Sequence, residues 1–60
     1  MELNEAYSLP QIIAFGMTEK DVKDLGARIF TKENKVYFFE NINNSDLRLY
    51  SVINKRSFFL

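Results

Sequence analysis

The serines are the side chains of this sequence that could act as nucleophiles, and nothing in the sequence activates them. They are Ser8, Ser45, Ser51 and Ser57. The chain contains no His and no Cys, so a serine hydroxyl has no imidazole base and a structural zinc ion has no suitable ligand set. The carboxylates form no recognisable acid–base pair, and no glycine-rich loop could hold a phosphate. We therefore expect a protein that is not an enzyme and takes no cofactor, metal ion or small-molecule substrate.

The Lys and Arg side chains are the other candidate functional residues, because they could bind phosphate groups. The formal net charge is zero, with eight Lys and Arg against eight Asp and Glu. The signs are nevertheless separated along the chain: residues 1–24 carry five acidic and two basic side chains, and residues 25–60 carry six basic and three acidic ones. Phosphate contacts dominate affinity for nucleic acid, so cations clustered on one face would predict a DNA-binding surface. The alternative interpretation is ordinary solvated charge on a small domain.

The N-terminal part of the chain carries the signals of a helix start and stop. Ser8 and Gln11 have the spacing of a capping box, and Pro10 suits the first helical turn. Gly16 can adopt the left-handed conformation that ends a helix. These signals predict a short helix over 9–15.

The same signals follow immediately in a second segment. Thr18 is a suitable cap, Asp21 occupies the reciprocal position, and Gly26 provides the next stop. They predict a second short helix over 19–25.

The second half of the chain has β-strand character. Residues 27–40 contain two β-prone runs around a polar turn, which predicts a hairpin. Residues 47–53 fit a helical stripe, which we prefer, and also a strand face, so a final short helix and a third strand both stay open. The expected fold is therefore α+β, a single small winged-helix-like domain over 1–60 with an apolar tail at 55–60.

The first two predicted elements resemble a helix-turn-helix. Phe15 and Gly16 match the end of a first helix, Thr18 matches the cap of the second, and Val22 matches the residue that locks the two together. The segment is similar to the core of small winged proteins of the phage excisionase or recombination directionality factor type, and distantly to the DNA-binding heads of MerR-type regulators. The resemblance implies a winged fold and a regulatory protein of a phage or mobile element that binds duplex DNA, a recombinase, or both. The predicted DNA-binding residues are Arg28, Lys32, Lys35 and Arg48, joined by Thr18, Lys20 and Lys23 of the second helix.

A pure protein-interaction module, such as a phage inhibitor or adaptor, is the alternative function. The second predicted helix is rich in carboxylates, the net charge is zero, and the chain ends in an apolar tail. The predicted protein-interface residues are Tyr37, Phe39, Phe58, Phe59 and Leu60. Aromatic residues in so short a chain are also expected to form its core, and homo-oligomerisation stays open because small domains bury little surface alone. The sequence has no run of membrane-spanning length and no basic leader, so we expect a cytoplasmic protein with no membrane contact.

Overall fold

Residues 1–20 and 28–58, which this computed structural model describes, form a five-stranded antiparallel sheet with two short helices. The elements are β1 (Ala6–Ser8), α1 (Leu9–Ala14), β2 (Thr18–Lys20), β3 (Arg28–Lys32), β4 (Lys35–Asn41), β5 (Asp46–Asn54) and α2 (Lys55–Phe58). The strand order is β1-β5-β4-β3-β2. The long β4 is therefore central, and the two three-residue strands β1 and β2 form the edges.

The first predicted helix is present as α1. Ser8 has an extended backbone, with φ −79° and ψ 157°, and its Oγ accepts a hydrogen bond from Gln11 N at 3.3 Å. The Gln11 side chain completes the capping box, since its Oε1 accepts from Ser8 N at 2.9 Å. Gly16 follows the helix with φ +87°, a conformation that strains any residue with a β-carbon. The capping and stop signals in the sequence are confirmed at this helix.

The predicted winged helix-turn-helix arrangement is wrong, because the molecule is mostly an antiparallel sheet. The predicted second helix begins at residue 19, but Thr18–Lys20 is strand β2 and pairs with β3, Thr18 lying opposite Thr31. The remainder of that prediction, 21–25, lies outside the described residues. Nucleation of a short helix costs free energy that its few hydrogen bonds barely offset. A segment next to a strand edge can instead form backbone hydrogen bonds with that strand without a nucleation step. The first helix of the resemblance is therefore present, but the predicted start of its second helix is a strand.

The predicted hairpin is present, but its continuation is a strand and not the preferred final helix. β3 and β4 pair from Arg28 opposite Phe39 to Lys32 opposite Lys35. β5 then extends the sheet over nine residues on the other side of β4. Leu47 and Leu49 are buried on one face of β5, so this segment follows the period-two pattern of a strand and not the helical stripe.

One face of the sheet packs against α1 and forms the main core. The buried cluster there consists of Ile12, Met17, Phe30, Phe39, Leu47 and Leu49. The rings of Phe30 and Phe39 meet edge to face, with centroids 5.3 Å apart. A fully buried Phe stabilises a fold by about 1.5–3 kcal/mol relative to an exposed one, so this pair fixes β3 against β4.

The opposite face is also apolar. Ile29 and Val36 are completely buried on it. The Phe38 ring lies 5.8 Å from Phe58 of α2 and 6.2 Å from Tyr50, measured between centroids. The helix α2 therefore packs on the face opposite to α1, and the ends of β4 and β5 lie between the two.

Candidate functional site

The two arginines of the sheet are both engaged with carboxylates. Arg28 of β3 forms an ion pair with Glu19 of β2, and its guanidinium lies 5.7 Å from the centroid of the Phe30 ring. The hydrogen bond to Glu19 holds the pKa of Arg28 above its ordinary value, although partial burial acts in the opposite direction. This charge therefore serves the contact between β2 and β3.

Arg48 of β5 connects its strand to β4 and to the segment before β1, at the other side of the sheet. Its Nη2 and Nε donate to Glu40 Oε1 on β4 at 2.9 and 3.2 Å. Its Nη1 donates to Asn4 Oδ1, just before β1, at 2.6 Å. A planar guanidinium can hold two acceptors in fixed directions in this way. The charge of Arg48 is thus offset by Glu40 and joins β4, β5 and the N-terminal segment.

Four other cations gather at one end of the sheet. Lys32 and Lys35 are register partners at the closed end of the β3–β4 hairpin, and Lys35 lies opposite Asn54, the last residue of β5. The helix α2 starts immediately afterwards, and Lys55 N donates to Asn34 O of the hairpin turn at 2.7 Å. This hydrogen bond holds α2 next to the turn. We call the group formed by Lys32, Lys35, Lys55 and Arg56 the cationic end.

In the part of the chain that the structure describes, the surroundings of the cationic end are open and carry little negative charge. Glu33, exposed in the hairpin turn with φ 56°, supplies the carboxylate there. An open depression between the turn and α2 is lined by Asn34, Asn54, Lys55 and Arg56. Within residues 1–20 and 28–58, none of the four cations forms an ion pair. Their charge is therefore available to an external anion.

Lys32 is half-buried, as is Lys55, whereas Lys35 and Arg56 are exposed. A β-carbon placed on Gly16 would lie 3.8 Å from Lys32 Cε and 4.0 Å from Nζ. The ammonium group thus lies beside the residue that follows α1. The carboxyl end of a helix carries a partial negative charge, which favours a cation there.

The structure brings together only some of the predicted DNA-binding residues. Lys32 and Lys35 belong to the cationic end, while Arg28 and Arg48 are paired with carboxylates. Lys20 is exposed on the edge strand β2, opposite Ile29. The backbone oxygen of Thr18 accepts a hydrogen bond from Thr31 Oγ1 at 3.4 Å. The predicted position Lys23 lies outside the described residues.

The charge pattern of residues 25–60 places Lys55 and Arg56 among the cations expected to contact phosphate, but the predicted DNA-binding residues of the wing and the second helix do not include them. This basic pair directly follows the last strand, so it must lie at the same end of the sheet as the turn that begins the preceding strand. Recognising that placement requires β5 to be known as a strand. The preferred helix for residues 47–53 concealed it.

The predicted protein-interface residues occupy several environments. Phe39 is completely buried and Tyr37 is half-buried against the same core, so both have packing roles. Phe58 is half-buried and contacts Phe38. The last two predicted interface positions, Phe59 and Leu60, lie outside the described residues.

Comparison of this chain with protein-family models, with curated proteins and with solved structures gives no match. Across the described ranges, no helix has the length and apolar character needed to cross a membrane. The same ranges contain no group of three or more acidic side chains placed to hold a metal ion.

Proposed function

We propose that this chain is a non-enzymatic regulatory protein that binds duplex DNA by its phosphate backbone, through the cationic end. The observation that carries the proposal is the grouping of four cations at one end of the sheet, where Lys55 and Arg56 line an open depression and Glu33 is the neighbouring carboxylate. Ammonium and guanidinium groups donate to phosphate oxygens, and such contacts supply most of the affinity in sequence-independent binding.

The short helices favour contact with the backbone of DNA and not with base edges. Among the described elements, α1 has six residues and α2 has four. A recognition helix in the major groove presents several side chains along its length to the bases. The cationic end lies at a hairpin turn and a strand end, which suit a phosphate row. We therefore propose sequence-independent binding in place of the groove insertion that a helix-turn-helix would make.

The strength of binding follows from the number of phosphate contacts. Each phosphate neutralised on duplex DNA contributes about −0.9 to the slope of log K against log salt, so four contacts predict a slope of about −3.6. A chain with zero net charge gains little from long-range attraction, so binding is expected chiefly at low ionic strength.

The test is fluorescence anisotropy of a labelled random duplex, measured at low and near-physiological salt. Lys35→Gln is expected to weaken binding about eightfold at 0.1 M salt and to lower the slope by about 0.9. Lys20→Gln makes the same change in charge on the edge strand β2 and serves as the matched control, with affinity close to that of the wild type. Equal losses in both variants would show a net-charge effect without a site. Absence of wild-type binding at low salt would overturn the proposal.

Protein binding is the second candidate, and the exposed side of α1 favours it. Leu9 and Ile13 are four residues apart, so they share one side of the helix, with 37% and 52% of their surfaces exposed. Exposed apolar groups on a small domain are a common feature of protein interfaces. A recombinase is the partner to test because the first-helix part of the resemblance is present in α1, although the helix-turn-helix as a whole is not.

The second candidate predicts that Leu9→Ser with Ile13→Ser removes capture of a recombinase from solution. Ile42→Ser, at an equally exposed apolar position in the β4–β5 loop, is the matched control and should capture normally. Equal capture by both variants, measured by pull-down with the purified recombinase, would argue against α1 as the contact surface.

A further inference from the structure

The face of the sheet opposite α1 carries three aromatic rings that belong neither to the core cluster nor to the cationic end. Phe38 lies between the other two, with its ring centroid 5.8 Å from that of Phe58 and 6.2 Å from that of Tyr50. Phe38 and Phe58 are half-buried, whereas 41% of the surface of Tyr50 is exposed. We call these three residues the aromatic row. Tyr50 is therefore the member of the row that can meet a ligand most directly.

A β-bulge determines the position of Tyr50. Phe38 and Phe39 are consecutive on β4, and they lie opposite Ser51 and Leu49 of β5. Tyr50 is therefore an extra residue on β5, with no register partner on β4. An extra residue of this kind bends the strand and redirects a side chain. The Tyr50 ring accordingly lies against Phe38, while Leu49 stays buried in the core on the other face.

The aromatic row is continuous with the cationic end. Phe58 and Lys55 are three residues apart in α2, so their side chains are neighbours on the surface of that helix. Arg56 is exposed in the same helix. At about 3.3 Å per residue, β5 extends about 13 Å from Tyr50 to Asn54, the residue before α2. Aromatic rings and unpaired cations therefore form one surface at this end of the sheet.

The carboxylate at the far end of the aromatic row is paired. Glu40 is two residues from Phe38 on β4, so both side chains lie on the face opposite α1. The Glu40 carboxylate accepts a hydrogen bond from Arg48 at 2.9 Å. The ion pair reduces the repulsion that a free carboxylate would exert on a phosphate passing over the row.

We propose that an unpaired nucleobase stacks on the aromatic row at Tyr50 while the phosphates next to it contact the cationic end. The chain then binds a duplex with a single-stranded overhang more tightly than a blunt duplex. This inference rests on the proposed DNA binding and specifies the form of DNA. Aromatic rings beside a cationic surface bind single strands because every base has a face that can stack. In a blunt duplex the bases are stacked on one another, so reaching Tyr50 requires unstacking.

The experiment compares the affinity of the full chain for three labelled ligands by fluorescence anisotropy at low salt. They are a blunt duplex, the same duplex with a short oligothymidine overhang, and the same duplex with an abasic overhang of equal length. The oligothymidine overhang is expected to bind at least about fivefold more tightly than the blunt duplex. The abasic overhang keeps the phosphates and lacks the bases, so it should lose most of this gain.

Substitutions at Tyr50 test where the base stacks. Tyr50→Ser should bind the oligothymidine overhang no more tightly than the blunt duplex, whereas Tyr50→Phe keeps the ring and should retain the gain. Ile42→Ser removes an apolar side chain of similar exposure from the β4–β5 loop and should behave as the wild type. Affinity for the blunt duplex should be the same in all of these proteins, since neither position belongs to the cationic end.

Equal affinity of the wild type for the blunt duplex and the oligothymidine overhang would overturn this inference and leave the proposed duplex binding intact. A gain that persists with the abasic overhang, or in Tyr50→Ser, would overturn it as well. If Tyr50→Ser does not fold, as judged by circular dichroism, the comparison of the two overhangs with the wild type decides. Absence of binding to all three ligands would overturn the proposed function together with this inference.

Discussion

Arg28 and Arg48 differ from the cations of the cationic end in what lies beside them. Each arginine lies within the sheet next to a carboxylate from a neighbouring strand, Glu19 for Arg28 and Glu40 for Arg48. The cations of the cationic end lie where strands finish and form no ion pair within the described residues. Charges with equal sign therefore have different uses: those in the sheet hold strands together, and those at its end are available to a ligand.

The comparison shows why the total charge of this chain says little about binding. The zero net charge combines arginine–carboxylate pairs, which cancel locally, with a cationic end that has no ion-pair partner among residues 1–20 and 28–58. Guanidinium groups suit the first use because their donors point in fixed directions, whereas the ammonium groups that make up three of the four cations of the cationic end act as mobile point charges. An anion approaching the cationic end therefore meets a positive local field.

The largest expected difference between the paired arginines and the cationic end is in the free energy of unfolding. Arg48→Gln removes the bonds to Glu40 and Asn4 and should lower the free energy of unfolding by about 1–2 kcal/mol, with duplex affinity changed little. Arg48→Lys keeps the charge but loses the fork, so it should fall between the wild type and Arg48→Gln. Urea unfolding followed by circular dichroism measures these differences.

The control for this comparison is Lys35→Gln, which removes a cation of the cationic end. Surface substitutions of this kind change stability by about 0.5 kcal/mol or less. Similar losses of stability for Arg48→Gln and Lys35→Gln would contradict the division between structural and available charges.

The sequence was sufficient for the elements whose signals are local. The capping residues Ser8 and Gln11 and the stop at Gly16 determine α1 within a few neighbouring positions, and the hairpin around Glu33 is equally local. Such features depend on hydrogen bonds and backbone preferences over three to five residues, so a single sequence can reveal them.

The sequence was insufficient where distant strands decide the structure. The segment Thr18–Lys20 carries helix-start signals, yet it pairs with β3 about ten residues away. Residues 47–53 fit helix and strand equally, and their pairing with β4 and β1 decides between them. The cationic end depends on that same pairing, since it brings α2 to the hairpin turn. Sequence reasoning could name Lys32, Lys35, Lys55 and Arg56 as cations and place the first two together across one local hairpin, but it could not show that all four lie at one end of the sheet.

The smallest expected effect is a gain in duplex affinity when a negative charge is removed from the cationic end. Glu33→Gln keeps the shape of the side chain in its left-handed turn position and removes the carboxylate beside Lys32 and Lys35. At about 8 Å and the dielectric constant of water, one charge contributes about 0.5 kcal/mol, so duplex affinity should rise about twofold at low salt. The number of phosphate contacts is unchanged, so the salt slope should stay the same. Anisotropy titrations should show no gain for Glu2→Gln, which makes an identical charge change near the N-terminus; an equal gain there would mean that the duplex senses only the total charge of the chain.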